Sequence, residues 1–198
     1  MIEVFKTIAS STEGLYKSKG SKFFAFAIPV QSVEEVKEII SDYHKKYHDA
    51  RHICYAYVLQ PDGLQYRAND DGEPSGTAGR PILGQINSKG LTNVLVVVIR
   101  YFGGILLGTG GLITAYKEAA ASALDQALIV EKDVELSFEV HFQYPMMNEV
   151  MKLVKESDVV INDQLFGNEC MLKCVVPVRN EKLLLGKLNK INDVHIIL

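Results

Sequence analysis

Residues 94–112, VLVVVIRYFGGILLGTGGL, join an apolar run to a glycine-rich one. From Leu91 to Ile99 the chain is almost wholly aliphatic and rich in valine, the pattern of a strand covered on both faces. Such a strand requires a packed layer on each side. The alanine-rich stretch Leu112–Leu128 has the propensity to supply one as a helix. Between strand and helix stand Gly103, Gly104, Gly108, Gly110 and Gly111. Their spacing is neither G-x-G-x-x-G nor a phosphate loop ending in Lys-Ser/Thr. Two readings are open: close packing of strand, turn and helix, or an anion held on the unpaired amides of the helix start, with Thr109 as cap or phosphate contact.

Outward from this centre, Ile2–Ala9 and Phe23–Val30 read as strands, with a Gly-containing hairpin at Leu15–Lys19 leading into the second. Ser32 and Glu35 form a capping box opening a helix that runs to about His48, with Val33, Val36, Ile39, Ile40 and Tyr43 on one face. Ile53–Leu59 and Leu64–Ala68 are short strands about the turn Pro61-Asp62-Gly63, and Arg80–Asn87 is a short helix. The pattern restarts near Ile129–Asp133. Beyond it Val134–Phe142, Pro145–Ser157, Val159–Gln164, Glu169–Val178, Glu181–Lys190 and Val194–Leu198 read β-α-β-β-α-β, the order of a ferredoxin-like module. The expectation is an α+β protein of two domains, 1–131 and 132–198.

Composition narrows the function. The chain has 198 residues, 47% of them hydrophobic, so a packed core is expected and disorder is not. Its net charge is −3. Thirteen basic residues stand against 14 acidic through residue 131, and 8 against 10 beyond it, so neither half is a basic arm. No segment reaches the roughly 18 to 20 apolar residues of a membrane span. Three cysteines and the absence of a signal peptide point to a reducing cytoplasm.

A second unusual stretch, NDDGEPSGTAGRPIL at 69–83, gathers acids, hydroxyls and glycines before a helix. Asp70, Asp71 and Glu73 form an acidic rim. Ser75, Gly76, Thr77 and Gly79 offer amides and hydroxyls, and Arg80 precedes Pro81 in the first helical turn. The loop could place a divalent ion on the acids and a phosphate on the amides and Arg80. The competing reading has the acids cap amides and pair with Arg80 or Arg100, and it ranks somewhat ahead. Convergence of the two loops predicts a site of Arg51, His52, Arg80, Arg100 and Tyr101, with Tyr101 and Phe102 available for base stacking and Phe102 equally readable as core.

DDGEPSGTAGRPIL, then VLVVVIRYFGGILLGTGGL, with HDARHICYAYVL at 48–59 before them, resemble the Impact/YigZ family. The resemblance implies an N-terminal domain of the ribosomal protein S5 domain 2-like fold. It implies a C-terminal ferredoxin-like domain similar to a module of elongation factor G. Eukaryotic relatives regulate translation by competing for an activator of a stress kinase. Part of their partner recognition lies in an extra domain with no counterpart in this chain, so kinase regulation is not carried over. For bacterial members the resemblance implies RNA or ribosome binding and no accepted reaction.

The leading expectation is therefore a non-enzymatic protein acting in translation through RNA or the ribosome. Two alternatives are a phosphate- or nucleotide-binding enzyme using both loops and a protein–protein adaptor. No metal or cofactor is expected. His44, His48 and His52 are four apart, but a helix end between them breaks the ladder. Cys54, Cys170 and Cys174 read as buried small hydrophobes. Ser75 with His52 is a formal nucleophile–base pair of low weight. Glu135 and Glu139 on the open face of the second domain direct any RNA contact to the N-terminal loops.

Overall fold

The computed structural model describes residues 2–198 and divides them into two compact units, one of Phe5–Lys132 and one of Asp133–Leu198 with residues 2–4. Along the first part of the chain run β1 (Val4–Ile8), β2 (Thr12–Ser18), β3 (Ser21–Pro29), α1 (Val33–Lys46), β4 (His52–Leu59), β5 (Gln65–Asn69), α2 (Gly79–Ser88), β6 (Val94–Tyr101), α3 (Gly108–Leu124) and β7 (Ile129–Asp133). Strands β2-β3-β6-β4-β5 form one sheet in that order, antiparallel throughout.

The central position of β6 explains its composition. Residues Val94 to Ile99 are all fully buried. One face carries Phe23, Ala25, Ala27, Cys54, Ala56, Val96 and Val98 and packs against α2 and α3. The small side chains on this face meet Ala115, Ala119 and Ala123 of α3, which brings helix and sheet close together. The opposite face carries Phe26, Ile53, Tyr57, Leu95, Val97 and Ile99 and packs against Val36 of α1. The start of α1 is a capped one. Ser32 Oγ accepts from the Glu35 amide at 3.1 Å, and Glu35 Oε2 reaches back to the Gln31 amide at 2.8 Å.

The structure moves several expected boundaries. Helix α3 begins at Gly108, so Gly108, Gly110 and Gly111 belong to its first turn and not to a loop. It ends at Leu124, because the following residues leave the helix to enter β7. The expected junction at Ile129–Asp133 is itself a strand, paired with β1 in a two-stranded sheet. That pairing joins segments more than a hundred residues apart, and no local pattern announces it.

The later part contains β8 (Glu135–Gln143), a 3₁₀ turn (Tyr144–Met146), α4 (Met147–Glu156), β9 (Val160–Leu165), β10 (Glu169–Pro177), α5 (Val178–Leu188) and β11 (Val194–Ile197). Its sheet has the order β11-β8-β10-β9. Phe138, Val140, Phe142, Leu172, Cys174 and Val176 face a core completed by Val150, Val154, Leu184 and Leu188. On the other face Glu139 lies 3.5 Å from Lys173 and 3.1 Å from His141. That face is more mixed in charge than Glu135 and Glu139 suggest, since β10 adds a lysine through its register with β8.

The larger unit closes its own core. A fragment of residues 5–132 is expected to unfold in a single cooperative transition when its ellipticity is followed on heating. A broad, non-cooperative melt would show that this core is incomplete.

Candidate functional site

The acidic loop turns inward. Asp70 accepts from the amides of Gly76 at 2.8 Å, Ala78 at 3.0 Å and Gly79 at 2.8 Å. It thereby caps α2, whose own N-cap residue, Ala78, makes no side-chain capping bond. Burial raises the Asp70 carboxyl, but the amides of Gly76, Gly79 and Ala78 and the charge of Arg80 outweigh it and hold the group below the ordinary carboxylate range. The amides that the sequence offers to a phosphate are thus occupied by a carboxylate of the same loop. Asp71, at φ 43, accepts from the Ile53 amide at 2.6 Å, and its backbone carbonyl accepts from His52 Nδ1 at 2.7 Å. Thr77 is buried and donates to the Pro74 carbonyl at 2.7 Å.

Glu73 joins this loop to the glycine-rich region. Its Oε1 accepts from Arg100 Nη1 at 2.6 Å and from the Tyr116 hydroxyl at 2.8 Å. Both ionic side chains are sealed, with 7% of Arg100 and 4% of Glu73 exposed. The Arg100 guanidinium lies over Phe23 at 5.6 Å and over Phe102 at 5.7 Å, while its Nε has no partner. Behind Tyr116 lies Cys54, whose thiol donates 3.0 Å to the Asp70 carbonyl and lies 3.3 Å from the Tyr116 hydroxyl. Burial pushes the thiol and the phenol up, and Glu73 adds to both shifts, so each remains a protonated donor.

The two loops therefore meet, though not as one cluster of exposed groups. Arg100 and Tyr101 are consecutive in β6, and strand alternation sends them to opposite faces. Register places Tyr101 in a row with Lys22 of β3 and Lys17 of β2. Its hydroxyl donates to Asp49 at 2.8 Å. Tyr101 is thus separated from the Arg100 network with which the sequence grouped it. Arg51, Ser75 and Arg80 are exposed, and among the described residues no hydrogen bond joins Ser75 to His52. Among those residues no three His, Cys, Asp or Glu side chains gather as a metal site, and the three cysteines are buried and free.

The glycines divide by role. Gly103 lies against the backbone of Gly20 and Ser21, where a Cβ would overlap both, and its amide donates to Ser21 Oγ at 3.1 Å. Gly104 and Gly108 have φ of 87 and 72. Gly110 has open space where a side chain would stand, and Gly111 meets only the Leu107 side chain.

On the face that Tyr101 joins, a cavity of about 700 Å³ is lined by Glu13, Gly20, Lys22, Phe24, Phe26, Tyr47, Tyr101 and Phe102. Phe24 meets Tyr101 edge-on with centroids 6.0 Å apart, and Phe26 lies 5.9 Å from Tyr47. Lys22 stands at one end of this groove, with Lys17 beside it in the β2–β3 register, and Glu13 stands at the other. Sequence reading missed Lys17, Lys22, Phe24 and Tyr47, whose only local sign is the lysine spacing around the turn at Lys19-Gly20. It also missed Tyr116, which an alanine-rich helix presents as ordinary core.

Comparison with known proteins places this arrangement among relatives. The Impact N-terminal domain family matches residues 19–124. IMPACT family member YigZ of Escherichia coli is 34% identical over 161 residues, covering 80% of this chain and 79% of the relative. IMPACT family member YvyE of Bacillus subtilis is 32% identical over 163 residues, covering 82% and 75%. A crystal structure of a hypothetical protein superposes with a TM-score of 0.79 at 29% identity, covering all of this chain and 98% of that one.

Arg100→Ala is expected to cost about 3 to 5 kcal/mol in chemical denaturation, because Glu73 is left buried without its ionic partner. Adding Glu73→Gln should recover part of that loss, since the amide still accepts from Tyr116. Simple addition of two losses would refute the pair. Gly103→Ala should lower the melting temperature sharply. Gly110→Ala, in open helical surface, should raise stability by about 0.5 to 1 kcal/mol. Equal effects at the two glycines would contradict the division of roles.

Proposed function

The chain belongs to the Impact family, and from that membership we propose a non-enzymatic protein that binds single-stranded RNA, on the ribosome or free, and so acts in translation. We read the larger unit as ribosomal protein S5 domain 2-like. We read the smaller as a ferredoxin-like unit akin to a module of elongation factor G; its β-α-β-β-α-β order and its strand order β11-β8-β10-β9 support this. The residues described lack any helix long and apolar enough to cross a membrane. The reading keeps the protein in the cytoplasm.

One observation carries the RNA reading: the groove that sets Phe24, Tyr101 and Phe102 beside Lys17 and Lys22. Aromatic faces stack on any base, and lysines attract the backbone without reading sequence. A protein of net charge −3 can bind RNA only through such a local arrangement. The acids able to do acid–base chemistry, Asp70 and Glu73, are already committed to amides and to Arg100, which favours binding over catalysis. Exposed Ile105 and Leu106 favour a second reading, a protein partner seated on the tip that follows β6.

Fluorescence anisotropy with a single-stranded RNA oligomer tests the proposal. Lys17→Ala with Lys22→Ala should weaken binding about tenfold and reduce the slope of log affinity against log salt by about 1 to 1.5. Phe102→Ala should weaken binding by about 1 to 3 kcal/mol and leave that slope unchanged. Wild-type protein that ignores RNA, or variants that bind as well as it does, would end the reading.

A further inference from the structure

A second cavity, of about 250 Å³, lies between α1 and the β4–β5 edge of the sheet. Lys37, Ser41 and His44 follow the i, i+4, i+7 spacing and so share one stripe of α1. Across from them, Tyr57 and Arg67 are paired directly in the β4–β5 register. The lining holds three basic side chains and no carboxylate. Neither Lys37 nor Arg67 has an ion-pair partner among the described residues. Tyr57 is only 6% exposed. Among the described residues its hydroxyl has no hydrogen-bond partner, and only Arg100 Nε is both unpaired and sealed, so the Tyr57 hydroxyl is reached from the cavity that it lines.

We propose that this cavity binds a terminal phosphate monoester. The cations Lys37 and Arg67, with the His44 ring beside them, match a dianion better than a carboxylate of single charge. The Arg67 fork and the Lys37 ammonium can each take phosphate oxygens, and the tyrosine hydroxyl can donate to another. Val33, Val36 and Ile40 give the cavity an apolar wall for the body of the ligand. This site uses neither the lysines nor the aromatic residues of the RNA groove, so it stands or falls independently.

The test is calorimetric titration with adenosine 5′-monophosphate, with adenosine as the uncharged control. The monophosphate should bind saturably and adenosine should not. Arg67→Ala and Lys37→Ala should each weaken binding at least about tenfold, and Lys45→Ala, on the neighbouring stripe, should leave it unchanged. An RNA oligomer with a 5′-phosphate is then compared with its 5′-hydroxyl form. A preference for the phosphate that disappears in Arg67→Ala assigns the site to an RNA end. Mononucleotide binding without that preference assigns it to a free metabolite. No saturable binding of either monoester, or full affinity in both Arg67→Ala and Lys37→Ala, overturns the proposal.

Discussion

A guanidinium and a carboxylate closed off from water hold together one end of the five-stranded sheet. Glu73 comes from the loop after β5, Arg100 from β6 and Tyr116 from α3, and all three meet at a single carboxylate oxygen. Burying two charges is costly, and their attraction offsets that cost only when the geometry is good and further donors are present. Here Tyr116 supplies the further donor, and the guanidinium lies over the rings of Phe23 and Phe102. The arrangement fixes the loop, strand and helix relative to one another. The unpaired Arg100 Nε is the part of this pair left without compensation.

Asp70 has a comparable effect on α2. A helix start attracts an anion, and here the anion is a side chain of the preceding loop. With Asp70 on the amides, Asp71 on Ile53 and Glu73 on Arg100, the acidic rim becomes internal scaffolding. The two hollows proposed to meet a partner lie on the other face of the sheet. There α1 covers the middle and leaves an aromatic groove on one side and a cationic cavity on the other.

Much of the architecture was legible in local pattern. The apolar run before Arg100 gave a central strand, Ser32 and Glu35 marked a helix start, and the alternation from Val134 to Phe142 gave the buried face of β8. Each depends on neighbours a few residues apart, which is the range over which side-chain periodicity and capping operate. The same reading misplaced the start of α3, because glycines signal a loop although a first helical turn accepts them when the following helix is packed.

The candidate site was legible only as a collection of residue types. That acids, arginines and glycines cluster in two loops is written in the chain; which acid takes which donor is not. Arg100 and Tyr101 illustrate the limit. They are adjacent in sequence, but a strand turns them to opposite faces, one into a sealed ion pair and the other toward Lys22. Lys17, Lys22 and Tyr101 share a row only because β2, β3 and β6 pair in a particular register. Tyr57 meets Arg67 for the same reason. Local interactions decide what each segment becomes, whereas contacts between distant segments arise only when the whole sheet closes, and both grooves consist of such contacts.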